Sequence, residues 1–93
     1  MIEVTPGIYQ LPLPMINPSS GHVNAYLVQG DNEYLLIDTG WNTEEAFDSL
    51  KKQLAENDIK FKDIRQIVVT HVHPDHYGLA GRLKQLSGAT LAI

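Results

Sequence analysis

Apolar residues along this chain fall in short runs that carry two different periods. From Ile8 to Leu13 a brief apolar-rich segment is bounded by Pro6-Gly7 and by Pro12 and Pro14. Proline cannot donate to a ladder, so this segment reads as an edge strand. Pro14 to Gly21 is a loop by composition. Val23 to Gln29 and Glu33 to Asp38 read as two strands, joined by a tight turn at Gly30-Asp31-Asn32 into a hairpin. Leu35-Leu36-Ile37 is apolar without alternation, the pattern of a strand covered on both faces.

The period then changes. Thr39-Gly40-Trp41-Asn42 leads into a helix over Thr43 to Asn57, with Asn42 as N-cap and Glu45 reaching back to it. Phe47, Leu50 and Leu54 share one helical face, while Lys51, Lys52 and Glu56 fall on the solvent side. Ile64 to Thr70 is a strand with Ile67-Val68-Val69 as its β-branched centre. A second helix runs from Tyr77 to Leu86, with Leu79, Leu83 and Leu86 on one stripe and Gly88 placed to close it. Ala89 to Ile93 begins another strand. The order β-β-β-α-β-α-β predicts an α/β fold, with βαβ units building a mixed sheet that carries helices packed on it. A strand at the last residues would leave an apolar edge bare, so residues 1–93 read as a partial domain of a longer protein.

Composition narrows the chemistry. A length of 93 residues suits one small domain, and 43% hydrophobic with 19% charged residues marks a folded globular chain. The net charge is −4 and the few Lys and Arg are scattered, which argues against nucleic acid as a partner. No apolar run approaches the ~20 residues of a membrane span. Met1-Ile2-Glu3-Val4-Thr5-Pro6 has no secretory features, so the cytoplasm is the expected location. There are no cysteines, so any metal must be held by nitrogen or oxygen donors.

Those donors are concentrated in one place. Three of the four histidines lie within His71-Val72-His73-Pro74-Asp75-His76. Residues two apart in an extended segment point to the same side, so His71 and His73 can share an ion as they leave their strand. Pro74 breaks the extended path, and Asp75 and His76 then face back from the entry of the second helix. Four nitrogen or oxygen ligands converge at a strand-to-helix corner, a set that suits zinc. Crowding three imidazoles without a metal would set them against each other once protonated. His73-Pro74-Asp75 also occurs as a chaperone J-domain tripeptide, but there it lies between helices, whereas here a strand precedes it.

The segment Thr70 to His76 resembles the H-x-H-x-D-H signature of the metallo-β-lactamase fold superfamily, and Leu36-Ile37-Asp38-Thr39-Gly40 resembles its strand ending in Asp-Thr-Gly. Asn24-Ala25-Tyr26-Leu27-Val28 is similar to its early strand. The likeness covers essentially the whole chain but only the N-terminal part of that family's αβ/βα sandwich. It implies that His71 and His73 bind a first metal ion and Asp75 and His76 a second. It implies too that Asp38 stands behind these ligands, hydrogen-bonding near them and orienting them; the competing reading of Asp38 is a turn residue capping Gly40 and Trp41. His22 matches no family ligand and reads as structural. Leu79 stands where many members have a second Gly, a difference in helix packing more than in chemistry. The family site needs a later His, a bridging Asp and a final His, none of which this sequence supplies after His76.

The implied activity is hydrolysis at a dinuclear zinc site, where a metal-bound hydroxide attacks an ester, thioester, lactone or phosphoester-type small molecule. Asp75 would bind metal and help orient the nucleophile. Iron or manganese are alternative metals. Two other readings stay open: an iron oxidoreductase similar to persulfide dioxygenases, and an inactive fragment that lacks the remaining ligands. Diiron members typically carry Glu at the place of His73, which argues against that subgroup. Met15 and Ile16, in the loop before Gly21, offer apolar contact to substrate, and so does Trp41; for each the competing reading is plain connection or packing.

Overall fold

The computed structural model describes residues 1–15, 21–70 and 78–92. Six strands form one sheet in sequence order: β1 (Ile2–Thr5), β2 (Ile8–Pro14), β3 (His22–Gln29), β4 (Tyr34–Ile37), β5 (Ile64–Val68) and β6 (Thr90–Ala92). The first four pair antiparallel, and β4, β5 and β6 run parallel. Helix α1 (Glu44–Glu56) crosses from β4 to β5, and α2 (Ala80–Ser87) lies between β5 and β6. The α/β architecture expected from the sequence is therefore present, with two elements added.

The first addition is β1. It pairs with β2 through Ile2↔Gln10 and Glu3↔Tyr9, closed by a turn in which Gly7 takes φ +82. This corrects the reading of β2 as an edge strand along its whole length. The prolines explain how both can hold. Strand β1 reaches only as far as Gln10, so among the described residues Pro12 and Pro14 have β3 on one side and no strand on the other. The Pro12 carbonyl accepts instead from Gln53 Nε2 of α1 at 2.9 Å. The second addition is a single 3₁₀ turn, Phe61–Asp63, where the Asp63 carboxylate accepts the Lys60 N–H at 2.9 Å.

Alternation along the strands sorts the side chains to two faces. Leu11, Leu13, Ala25, Leu27, Leu36 and Ile67 point toward the helices and form one core with Phe47, Leu50, Leu54, Leu79 and Leu83. Each fully buried Leu of this set is worth about 1.5–3 kcal/mol relative to exposure. The segment Ile64-Arg65-Gln66-Ile67 does not alternate, yet both Ile are buried, because the β4–β5 register shifts between Tyr34 and Leu35 and takes up one extra residue. The opposite face carries Pro12, Tyr26, Val28, Leu35, Ile37 and Val68, all only half-buried. Within residues 1–93, Leu35 and Ile37 are thus less enclosed than Leu36.

The helices follow their apolar stripes, with shifted ends. In α1 the N-cap is Thr43 rather than Asn42: its φ of −126° and ψ of 156° direct Oγ1 at the Ala46 N–H, which it accepts at 3.1 Å. Both residues are good caps by type, but Thr43 is the one whose carbonyl accepts the first helical bond, from the Phe47 N–H at 3.0 Å. Thr43→Ala is expected to cost about 1 kcal/mol, seen as a lower urea midpoint with an unchanged slope. Helix α2 begins at Ala80, three residues later than expected, and Gly88 ends it at φ +72. Leu79 and Leu83 are enclosed, whereas Leu86 is 48% exposed and leaves the predicted stripe. The hairpin turn is as read, with the Gly30 N–H donating to the Glu33 carbonyl at 2.8 Å.

Candidate active site

Strands β4 and β5 lie side by side and parallel, so their carboxyl ends open at the same edge of the sheet. Such edges are where open α/β sheets place their sites. Asp38 follows directly on β4, and its N–H still donates to the Val68 carbonyl at 2.8 Å. Its φ of +65 then turns the chain sharply; Asp is one of the few side chains that tolerate this region.

The turn carries the Asp38 carboxylate across to the end of β5. Oδ1 accepts the Thr70 N–H at 2.9 Å. The Thr70 hydroxyl lies 2.9 Å from Oδ1 and 2.8 Å from Oδ2, so its single proton is shared between the two oxygens. Asp38 is only 6% exposed. A buried carboxylate is costly unless its oxygens are engaged, and charged acceptors make the shorter, stronger bonds. Asp38 is therefore more than a local turn residue: its carboxylate spans 32 residues to fix the backbone that immediately precedes His71.

Thr39 continues from the same turn in another direction. It is fully enclosed, and its Oγ1 accepts the Leu79 N–H at 3.1 Å. Leu79 is the N-cap of α2 and its own side chain caps nothing, so this remote hydroxyl takes one of the amides that a helix start leaves over. Gly40 completes the turn at φ +81. A Cβ there would stand 2.9 Å from Leu13 Cδ1. Asp38-Thr39-Gly40 thus grips both ends of the segment that carries the histidine cluster.

The candidate ligands His71, His73, Asp75 and His76 lie outside the described residues, as does Ile16. Among the described residues no three His, Asp or Glu side chains gather to hold a metal. His22 is exposed at the start of β3. Met15 and Trp41 are brought together: the indole Nε1–H donates to Met15 Sδ at 3.3 Å. That contact ties the end of β2 to the turn after Asp38, and it favours packing for the polar edge of the indole. Residues missed by sequence reasoning are Thr39 and Thr70. Their one signal was position, a hydroxyl residue at the carboxyl end of each of two predicted parallel strands.

The comparisons with known proteins agree with this geometry. The chain belongs to the metallo-beta-lactamase superfamily, whose family pattern matches residues 19–93. A probable metallo-hydrolase of Bacillus subtilis, YqjP, is 52% identical over 59 residues, which make up 63% of this chain and 18% of that protein. The UPF0173 metal-dependent hydrolase PH1671 of Pyrococcus horikoshii is 34% identical over 71 residues, 76% of this chain and 28% of that protein. The crystal structure of the metallo-beta-lactamase family protein TTHA1429 from Thermus thermophilus matches with a TM-score of 0.82 at 44% identity, covering 91% of this chain and 28% of that one. The chain spans less than a third of the length of these relatives.

Proposed function

We propose that these residues supply the first half of the active site of a metal-dependent hydrolase, acting on an ester, thioester, lactone or phosphoester-type small molecule. The observation that carries this reading is the Asp38–Thr70 bond, which anchors the chain directly before His71 at the edge where two parallel strands end. A buried acid spent on fixing one backbone position suits a place where the following side chains must be held in register. The donor set fits a metal. Three imidazoles and one carboxylate lie in His71 to His76, with no thiolate anywhere in the chain, a choice that favours zinc.

His71 and His73 would hold one ion, and Asp75 and His76 a second. Bound zinc would lower the pKa of a water toward ~7 and polarise the bond under attack. Asp75 would orient the attacking water as well as bind. Asp38 keeps Thr70, and so the strand exit, from drifting. Met15 and Trp41 would border the substrate on the apolar side, with Ile16 beside them. The remaining ligands, a His, an Asp and a final His, would come from other parts of the full-length protein.

The test is elemental. Full-length protein, purified without added metal and dialysed, is expected to retain zinc at about two ions per chain, as two-metal sites do, and to hydrolyse activated esters or thioesters. A preparation that holds iron and consumes oxygen with a persulfide would replace this reading by the oxidoreductase one.

A further inference from the structure

The ribbon formed by β2 and β3 reaches beyond its neighbour in the sheet. Two antiparallel pairings separate β2 from β4, so β2 runs in the direction of β4 and β5 and ends at the same edge. Strand β3 pairs with β4 only from Tyr26, opposite Ile37, but with β2 as far as His22, opposite Pro14. Residues 11–14 and 22–25 therefore project past the last rung of β4, by about 13 Å at 3.2–3.4 Å per residue. This is the edge at which the Asp38 carboxylate holds Thr70.

The projecting ribbon is held from behind. Leu11, Leu13 and Ala25 are fully enclosed on its helix side. Leu13 abuts Gly40, where a Cβ would stand 2.9 Å from its Cδ1. Met15, directly after β2, accepts the Trp41 indole N–H at 3.3 Å. Alternation turns His22 to the other side, with Pro14 opposite it and Pro12 one step back. Each proline fixes its own φ, so the backbone around His22 is set before any ligand arrives. The imidazole itself is exposed.

Little else at this edge can greet an anion. Strands β2, β3 and β4 and residues 38–43 contain no Lys or Arg. Arg82 of α2 is already paired with Glu44 at 2.9 Å. Lys60, Lys62 and Arg65 lie at the opposite edge, where β5 begins.

We infer that His22 is a specificity-determining residue, donating to a carboxylate that the substrate carries at a distance from the bond being hydrolysed. This inference rests on the hydrolase reading above. An imidazole offers an N–H donor in either protonation state. A single donor suits a carboxylate, whereas phosphate sites gather Arg, Lys or helix N-termini. The overhang sets the spacing: His22 stands well along the ribbon from the level of Asp38 and Thr70, so it meets a remote group and not the reacting one. Met15 and Trp41 supply apolar surface at the same end for the chain between. The substrate class is then an ester or thioester with a carboxylate at the end of a short apolar chain.

The experiment uses zinc-loaded full-length protein and pairs of thioesters that differ only in a terminal carboxylate. The carboxylate is carried four, six or eight carbons from the thioester, on the acyl side in one series and on the thiol side in another. Wild type is expected to favour the carboxylate member of at least one pair by about 10–100-fold in kcat/KM, the range of a hydrogen bond to a charged group. His22→Ala should bring that ratio to about one, and His22→Lys, which restores a donor, should keep it high; a merely structural role would not move the ratio. His22→Ala should melt close to wild type, because the side chain is exposed. Hydrolysis with no preference in any pair overturns the inference and leaves the hydrolase reading standing. So does a ratio that stays high in His22→Ala, or one that is lost equally in His22→Lys. Wild-type protein that hydrolyses no member of either series overturns the hydrolase reading and this inference with it.

Discussion

Replacing His73 by alanine in the full-length protein is expected to abolish hydrolysis and to lower the zinc content together. The cause lies at the strand exit. Thr70 is fixed by the Asp38 carboxylate, so the chain enters the cluster from a defined point. On the proposed reading, an extended continuation from there would let His71 and His73 present two imidazoles to one ion. Removing one would then leave that ion a single near ligand from this segment. The loss of affinity should exceed the about 10–100-fold that follows removal of a partner behind a ligand. Turnover should fall with occupancy, and added zinc should recover little of it. A variant with wild-type turnover and wild-type zinc would rule out His73 as a ligand, and with it the assignment of the cluster as the metal site.

The second large effect is on stability. Gly40→Ala forces a side chain into a backbone at φ +81, which costs an L-residue about 1–2 kcal/mol. It also drives a methyl to 2.9 Å from Leu13 Cδ1. Leu13 is fully enclosed in the core, so overpacking adds about 1–3 kcal/mol. Against a typical domain stability of about 5–15 kcal/mol the sum is severe. Denaturant unfolding of the variant is the measurement. A Leu13→Ala background should relieve the steric part and leave the backbone part, so the two substitutions should be non-additive. Additive costs in that double variant would show that Leu13 is not the obstacle.

What the sequence made legible depended on whether a residue's role was written in its neighbours. Phe47, Leu50 and Leu54 were readable because helical burial repeats every three to four positions, and all three are in the core. Leu86 shared that spacing but is half exposed near the end of α2, so period alone overstated its burial. Strand β1 was not readable: every one of its residues is exposed, and its existence rests on pairing with β2 rather than on an apolar face. The 3₁₀ turn at Phe61–Asp63 is too short to have a period. The start of α1 was missed by one residue because Asn42 and Thr43 are equivalent by type and differ only in geometry.

The site divides in the same way. The histidine cluster and Asp-Thr-Gly were visible as local patterns, and the superfamily they resemble is the one whose pattern matches residues 19–93. The work of Thr39 and Thr70 was not visible. A threonine hydroxyl carries no mark of its partner when that partner is 40 or 32 positions away. Only the meeting of two parallel strand ends brings them together.

That distance has a kinetic consequence. Closing contacts of such sequence separation is entropically slow, so they form only when the sheet itself has assembled. A short synthetic peptide spanning positions 70 to 80 would carry the whole donor string and neither of its anchors. On the proposed reading it would have to order itself around a metal ion at the expense of affinity. The folded chain, in contrast, holds the flanking positions Thr70 and Leu79 in place, and tight capture would then be a property acquired in the last stage of folding.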